Sequence, residues 1–109
     1  MSDSARLNLP VEGTQFSHQL SVVVPMYNEE ELASDLIQAV QAALVNYPFQ
    51  WELIVVDDGS TDHTHKNLIA LQKTDKELRV IRHQKSCGPS TAVRTGVKHA
   101  KYEWIATLD

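Results

Sequence analysis

The chain has 109 residues, a net charge of −4 and 42% hydrophobic residues, enough apolar material for one globular domain or part of one. The acidic balance and the lack of a basic stripe argue against a nucleic-acid partner bound through its phosphates. No apolar run approaches the ~20 residues of a membrane span, the N-terminus Met1-Ser2-Asp3-Ser4-Ala5-Arg6 lacks a signal-peptide core, and a lone cysteine, Cys87, excludes an internal disulfide framework and makes a reducing, cytoplasmic compartment the expectation.

Residues 1–19 are mixed and unperiodic, and read as a flexible arm docked at most through Leu7, Leu9 or Phe16. Leu20-Ser21-Val22-Val23-Val24 is a strand buried on both faces, ended by Pro25, which cannot donate to a ladder. Asn28 is then expected to cap a helix, with Glu31 completing a capping box and Glu29 to Glu31 in the first turn. Leu32, Leu36, Ile37, Val40, Ala43 and Leu44 give that helix an apolar stripe, and Asn46-Tyr47-Pro48 stops it. Leu53-Ile54-Val55-Val56 is a second buried strand, halted by Asp57-Asp58-Gly59-Ser60-Thr61-Asp62. Ser60 or Thr61 should cap the following helix, whose thin apolar content (Leu68, Ile69, Leu71) predicts a surface position. The alternating Leu78–His83 predicts a strand near a sheet edge. Pro89 suits the first position of a third helix with a small-residue face of Ala92, Val93, Gly96, Val97 and Ala100. Trp104–Leu108 is a fourth strand, and the chain ends on Asp109.

This β-α-β-α-β-α-β alternation predicts an α/β, Rossmann-like parallel sheet with helices on both faces, right-handed crossovers and strand order 3-2-1-4. All strand carboxyl ends then share one rim, where such sheets bind ligands. Pro25 to Glu29, Asp57 to Ser60, Gln84 to Gly88 and Asp109 fall there. Tyr27 offers a face for a base, or packs as an ordinary strand-end tyrosine. A carboxylate accepts from a base N–H or a ribose hydroxyl, helix N-termini hold a diphosphate, and a hard divalent cation relieves the repulsion of clustered acids. The alternative for Asp57 and Asp58 is a surface turn that only caps the next helix. A dinucleotide site would need Gly-x-Gly-x-x-Gly after the first strand, where Pro-Met-Tyr-Asn-Glu-Glu stands. His63 and His65 are two apart, share no helix face and read as solvated, and Cys87 has no local catalytic context.

Val22-Val23-Val24-Pro25-Met26-Tyr27-Asn28-Glu29, Ile54 through Asp62, Gly88 through Gly96 and Trp104 through Asp109, in that order, resemble glycosyltransferase family 2 over residues 20–109. Ala92-Val93-Arg94-Thr95-Gly96 and Ala106-Thr107-Leu108-Asp109 lean toward polyprenyl-phosphate sugar transferases similar to dolichyl-phosphate mannosyltransferase. The resemblance implies a GT-A fold and transfer of a sugar from a nucleotide diphosphate sugar, a UDP- or GDP-sugar, to an acceptor such as a lipid-linked phosphate at the inner face of a membrane. It implies that Pro25, Tyr27, Glu29 and Val56 surround the nucleotide, that Asp58 bonds the base, and that Asp57 is structural. Gly88, Ser90 and Arg94 are implied diphosphate contacts, and Asp109 is the first acid of an Asp-x-Asp motif that meets ribose and Mg2+ or Mn2+. The second acid, the acceptor site and the catalytic base would then follow residue 109. The chain is thus expected to be an N-terminal piece carrying only the donor site, inactive alone and prone to self-association through its last strand. The rival expectation is a non-catalytic nucleotide-sugar- or protein-binding module of the same fold, marked by a neutral residue two positions past Asp109.

Overall fold

A computed structural model describes residues 18–108. Its elements are β1 (Leu20–Met26), α1 (Ala33–Leu44), β2 (Trp51–Asp57), α2 (Thr64–Gln72), β3 (Leu78–Arg82), α3 (Pro89–Lys98) and β4 (Trp104–Thr107). The strands form one parallel sheet in the order β3-β2-β1-β4, as the alternation of elements predicts. Most of the expected arm, with Leu7, Leu9 and Phe16, lies outside the described residues, as does Asp109. His18, at the arm's end, is docked: its ring stacks on Trp104 at 4.5 Å and its carbonyl accepts from the Tyr47 hydroxyl at 2.7 Å.

The period of two in a strand sends alternate side chains to opposite faces. Val22, Val24, Leu53 and Val55 pack with Ile37, Val40 and Leu44 of α1 and Leu68 of α2. Val23, Ile54 and Val56 face the other way, against Ala92 of α3. Gly96 lets α3 approach this second layer closely, since a Cβ there would lie 2.4 Å from Val23 Cγ1. Only Thr64 and Leu68 of α2 are buried, in line with its expected surface position.

Two helix starts differ from the sequence expectation. α1 begins at Ala33, not after Asn28, and Leu32 precedes it without a side-chain cap. Asn28 adopts φ 52° and turns its side chain to Thr61, accepting from the Thr61 amide at 2.8 Å. Its own amide donates to Ser60 Oγ at 2.9 Å. Long-range pairing of two loops thus overrides the local capping signal, and Glu29 to Glu31 fall in a preceding turn rather than in the helix. Similarly, α2 begins at Thr64 behind His63. Ser60 and Thr61 are committed to Asp57 and Asn28, while Asp62 Oδ1 accepts from the Thr64 amide at 2.9 Å and its hydroxyl at 2.6 Å. The end strands are also one residue shorter than expected, stopping at Arg82 and Thr107.

The amino rim is tied by Glu52, a carboxylate only 3% exposed. It accepts from Ser21 Oγ, Arg79 Nη1 and the Lys101 amide, each at 2.7 Å. Burial pushes its pKa up, but hydrogen bonds from the Lys101 amide, Ser21 and Arg79, with the Arg79 charge, outweigh that and hold it below the usual carboxylate range. A depressed pKa contributes stability that is present above the unfolded value and lost as pH falls through the folded one. Glu52→Gln should therefore destabilise the fold by roughly 1.5–3 kcal/mol at neutral pH, the worth of a charge-assisted hydrogen bond. The gap between variant and wild type in chemical denaturation should narrow below about pH 4.5.

Candidate donor-nucleotide site

The carboxyl rim is built by three strand ends and the loops that leave them. β1 gives Pro25 and Met26, followed by Tyr27, Asn28 and Glu29. β2 gives Asp57, then Asp58 and Gly59. The segment from His83 to Gly88 leads from β3 into α3. Register continues past the strands, with the Asp58 amide donating to the Met26 carbonyl at 2.8 Å and the His83 amide to the Asp57 carbonyl at 2.9 Å.

The adjacent acids have different work. Asp57 is fully buried, and its Oδ1 accepts from the Ser60 amide at 3.0 Å, closing the turn. Ser60 Oγ in turn holds the Asn28 amide, so this turn fixes the path of the β1 loop. Among the described residues Asp57 Oδ2 accepts no hydrogen bond, and it lies 3.4 Å from His65 Nδ1 and 3.6 Å from Arg82 Nε.

Asp58, 3% exposed, is the centre of the rim. Its Oδ1 takes His83 Nδ1 at 2.8 Å and the Cys87 amide at 2.9 Å. Its Oδ2 accepts from Ser86 Oγ at 3.0 Å and the Gly88 amide at 2.9 Å. Burial raises its pKa, but the Cys87 amide, His83, the Gly88 amide and Ser86 together bring it below the ordinary value. The carboxylate is therefore ionised near neutral pH and anchors the loop from β3 to α3. Its neighbour Gly59 has φ +73°, and a Cβ there would stand 2.5 Å from the Lys85 carbonyl carbon. Only glycine lets this loop come down over the end of β2.

A cavity of about 350 Å³ opens on the rim, lined by Pro25, Met26, Tyr27, Glu29, Asp58 and Pro89. Four of the residues singled out from sequence, Pro25, Tyr27, Glu29 and Asp58, thus meet around one hollow. Tyr27 is 46% exposed, so it is not the packed strand-end tyrosine of the alternative expectation. Val56 does not line this space; it is buried against α3. The Gly88 amide is bound to Asp58. Ser90 is exposed on the first turn of α3, and Arg94 is exposed between the sheet-facing Ala92 and Gly96, on the far side of the helix from the sheet. Sequence reasoning missed His83 and Cys87 as neighbours of Asp58, because they follow a different strand and carry no motif.

A larger hollow of about 600 Å³ lies on the opposite rim, lined by Glu52, Arg79, Lys101, Tyr102 and their neighbours. Its buried acid, Glu52, is already satisfied by three donors, and ligands of open α/β sheets bind at the carboxyl ends of the strands. The smaller, less polar carboxyl-rim cavity is therefore the better ligand site.

Asp58, His83 and Cys87 form a group of potential metal ligands, with their donor atoms within 4.8 Å of one another. Imidazole and thiolate suit a softer ion than Mg2+. The described residues thus give no all-oxygen set for a hard cation, and Asp109 lies outside them.

The fold agrees with comparisons to known proteins. The chain is 42% identical over 106 residues to dodecaprenyl-phosphate galacturonate synthase of Rhizobium johnstonii, covering 92% of this chain and 31% of that protein. It is 34% identical over 92 residues to undecaprenyl-phosphate 4-deoxy-4-formamido-L-arabinose transferase of Salmonella paratyphi A, covering 84% and 28%. Among solved structures, a mannosyltransferase from Pyrobaculum calidifontis in complex with GDP-Man and Mn2+ superposes with a TM-score of 0.73 at 26% identity, over 84% of this chain and 27% of that one. S. aureus TarS 1–349 in complex with UDP-GlcNAc gives 0.66 at 30% identity, over 84% and 26%. The chain thus spans under a third of the length of these proteins, and its sheet is that of the GT-A glycosyltransferases. The family model for glycosyl transferase family 2 matches residues 21–109, and the chain belongs to that family.

Proposed function

We propose that this chain is the donor-nucleotide portion of a glycosyltransferase that moves a sugar from a nucleotide diphosphate sugar to a polyprenyl phosphate. The observation that carries this is the convergence of Pro25, Tyr27, Glu29 and Asp58 on one carboxyl-rim cavity. The acceptor class rests on the two polyprenyl-phosphate relatives, and a UDP- or GDP-sugar donor on the two nucleotide-sugar complexes. Because such an acceptor is a lipid, the whole protein would work at the cytoplasmic face of a membrane. No helix among the described residues is long and apolar enough to cross one.

In this scheme the base enters the cavity against the exposed Tyr27 ring, and Glu29 accepts from a ribose hydroxyl. Asp58 accepts the base ring N–H. Its acceptor positions are filled within the chain, so one donor must yield. Ser86 is that donor: its hydroxyl is a rotor on an exposed residue, whereas the Cys87 and Gly88 amides are fixed by the backbone. The diphosphate runs toward the α3 N-terminus at Ser90, where first-turn amides and the helix dipole favour anions. Arg94, on the solvent side of α3, would reach it only from outside the cavity. Asp109 and the second acid of an Asp-x-Asp motif would hold Mg2+ or Mn2+, which supplies charge neutralisation for the diphosphate when bound.

The full-length protein should release nucleoside diphosphate from a UDP- or GDP-sugar only when polyprenyl phosphate is supplied, with label passing to the lipid. Label that stays water-soluble with every donor and acceptor would count against transferase activity and favour a binding module. For the site itself, calorimetry on the full-length protein should give roughly tenfold to hundredfold weaker nucleotide binding for Asp58→Asn. Ser86→Ala should bind as well as wild type or more tightly, since it removes the competing donor. Tyr27→Ala should weaken binding by about tenfold, the scale of a lost base stack. Equal weakening by Ser86→Ala and Asp58→Asn would mean that the carboxylate acts on the loop alone.

A further inference from the structure

We infer that Asp58, which lines the carboxyl-rim cavity, forms a zinc site with His83 and Cys87. Three elements bring these residues together: the end of β2, the first residue after β3, and the loop into α3. Each supplies one donor atom, a carboxylate oxygen, an imidazole nitrogen and a thiol sulfur, all within 4.8 Å of one another. Zn2+ takes this mixture of oxygen, nitrogen and sulfur ligands, and three protein ligands leave a fourth tetrahedral position for water.

The surroundings suit such an ion. Cys87 is exposed and His83 partly so, which gives solvent access. The loop that carries the thiol is pinned by the Cys87 and Gly88 amides on Asp58. Among the described residues the thiol itself makes a weak contact with the Lys85 carbonyl at 3.3 Å. On the outer side of the ring, His83 Nε2 lies 2.8 Å from Thr95 Oγ1. A hydrogen-bonded outer nitrogen of this kind orients a metal-bound histidine.

Binding exchanges protons for the metal. An ionised Asp58 carboxylate can only accept, which assigns a proton to His83 Nδ1 in the metal-free state. With zinc on Nδ1, the neutral imidazole shifts to its Nε2–H tautomer and donates to Thr95 Oγ1. The Cys87 thiol loses its proton to solvent, so one proton is released per ion. The present 2.8 Å Nδ1–Oδ1 separation must widen by about 0.5 Å to admit an ion with ~2.0–2.1 Å ligand bonds.

A consequence for donor binding rests on the proposed function: zinc on Oδ1 would draw charge from the carboxylate whose Oδ2 the base takes from Ser86, so each would weaken the other's binding. The test of the site itself does not depend on that function. The full-length protein is titrated with Co2+ and Zn2+ alone, with Cys87→Ser, His83→Gln and, as a control, His63→Gln. His63 is exposed, and its ring lies 3.6 Å from Glu30 Oε1. The expected result is one Co2+ that shows a thiolate charge-transfer band and is displaced by Zn2+. The band should vanish in Cys87→Ser, Zn2+ affinity should fall at least tenfold in both ligand variants, and His63→Gln should match wild type. Absence of the thiolate band in the folded wild-type protein, or unchanged Zn2+ affinity in Cys87→Ser, would overturn the site. Tight zinc binding without effect on nucleotide affinity would leave the site standing and overturn only the mutual weakening.

Discussion

The rim depends on one buried carboxylate. Asp58 draws in two backbone amides, a hydroxyl and an imidazole, and so fixes the loop between β3 and α3 over the end of β2. An ionised carboxylate with little exposure is expensive to bury unless its acceptor sites are filled. The cheapest way to fill them is to bring a loop to it, and Gly59 makes room for that loop. The cavity wall at Asp58 and Pro89 is therefore a by-product of satisfying a charge. Asp57 does the complementary task on the other side, closing the turn whose Ser60 hydroxyl holds the β1 loop. Adjacent acids on one strand end thus order the two loops that face each other across the cavity.

The sheet was legible in the sequence because its strands carry a simple signal. Val22 to Val24 and Leu53 to Val56 are apolar at successive positions, which suits only a strand covered on both faces, and both layers do cover them. Short connections then left few topologies, and the observed order is the one they predict. The helix starts were harder to read. Asn28 and Ser60 look like caps to any local rule, but each spends its bonds on the opposite loop. That pairing spans 32 or more positions in the chain and leaves no periodic trace.

The candidate site was legible in part for the same reasons. Pro25, Tyr27, Glu29 and Asp58 lie at or just past the ends of strands that had to share a rim. The partners of Asp58 did not show themselves, since His83, Ser86 and Cys87 follow a different strand at spacings with no fixed meaning. Arg94 sits on a helix turn where a sequence match gives no direction, and the packing of Ala92 and Gly96 turns it outward.

Under the proposed function, the carboxyl rim, and not the larger hollow around Glu52, receives the donor nucleotide. Hydrogen–deuterium exchange on the full-length protein, with and without UDP or GDP, tests this directly. Protection is predicted in peptides covering residues 25–30, 57–62 and 84–91, with residues 48–52 and 100–103 unchanged. Protection confined to the latter segments, or to neither set at a saturating nucleotide concentration, would contradict it.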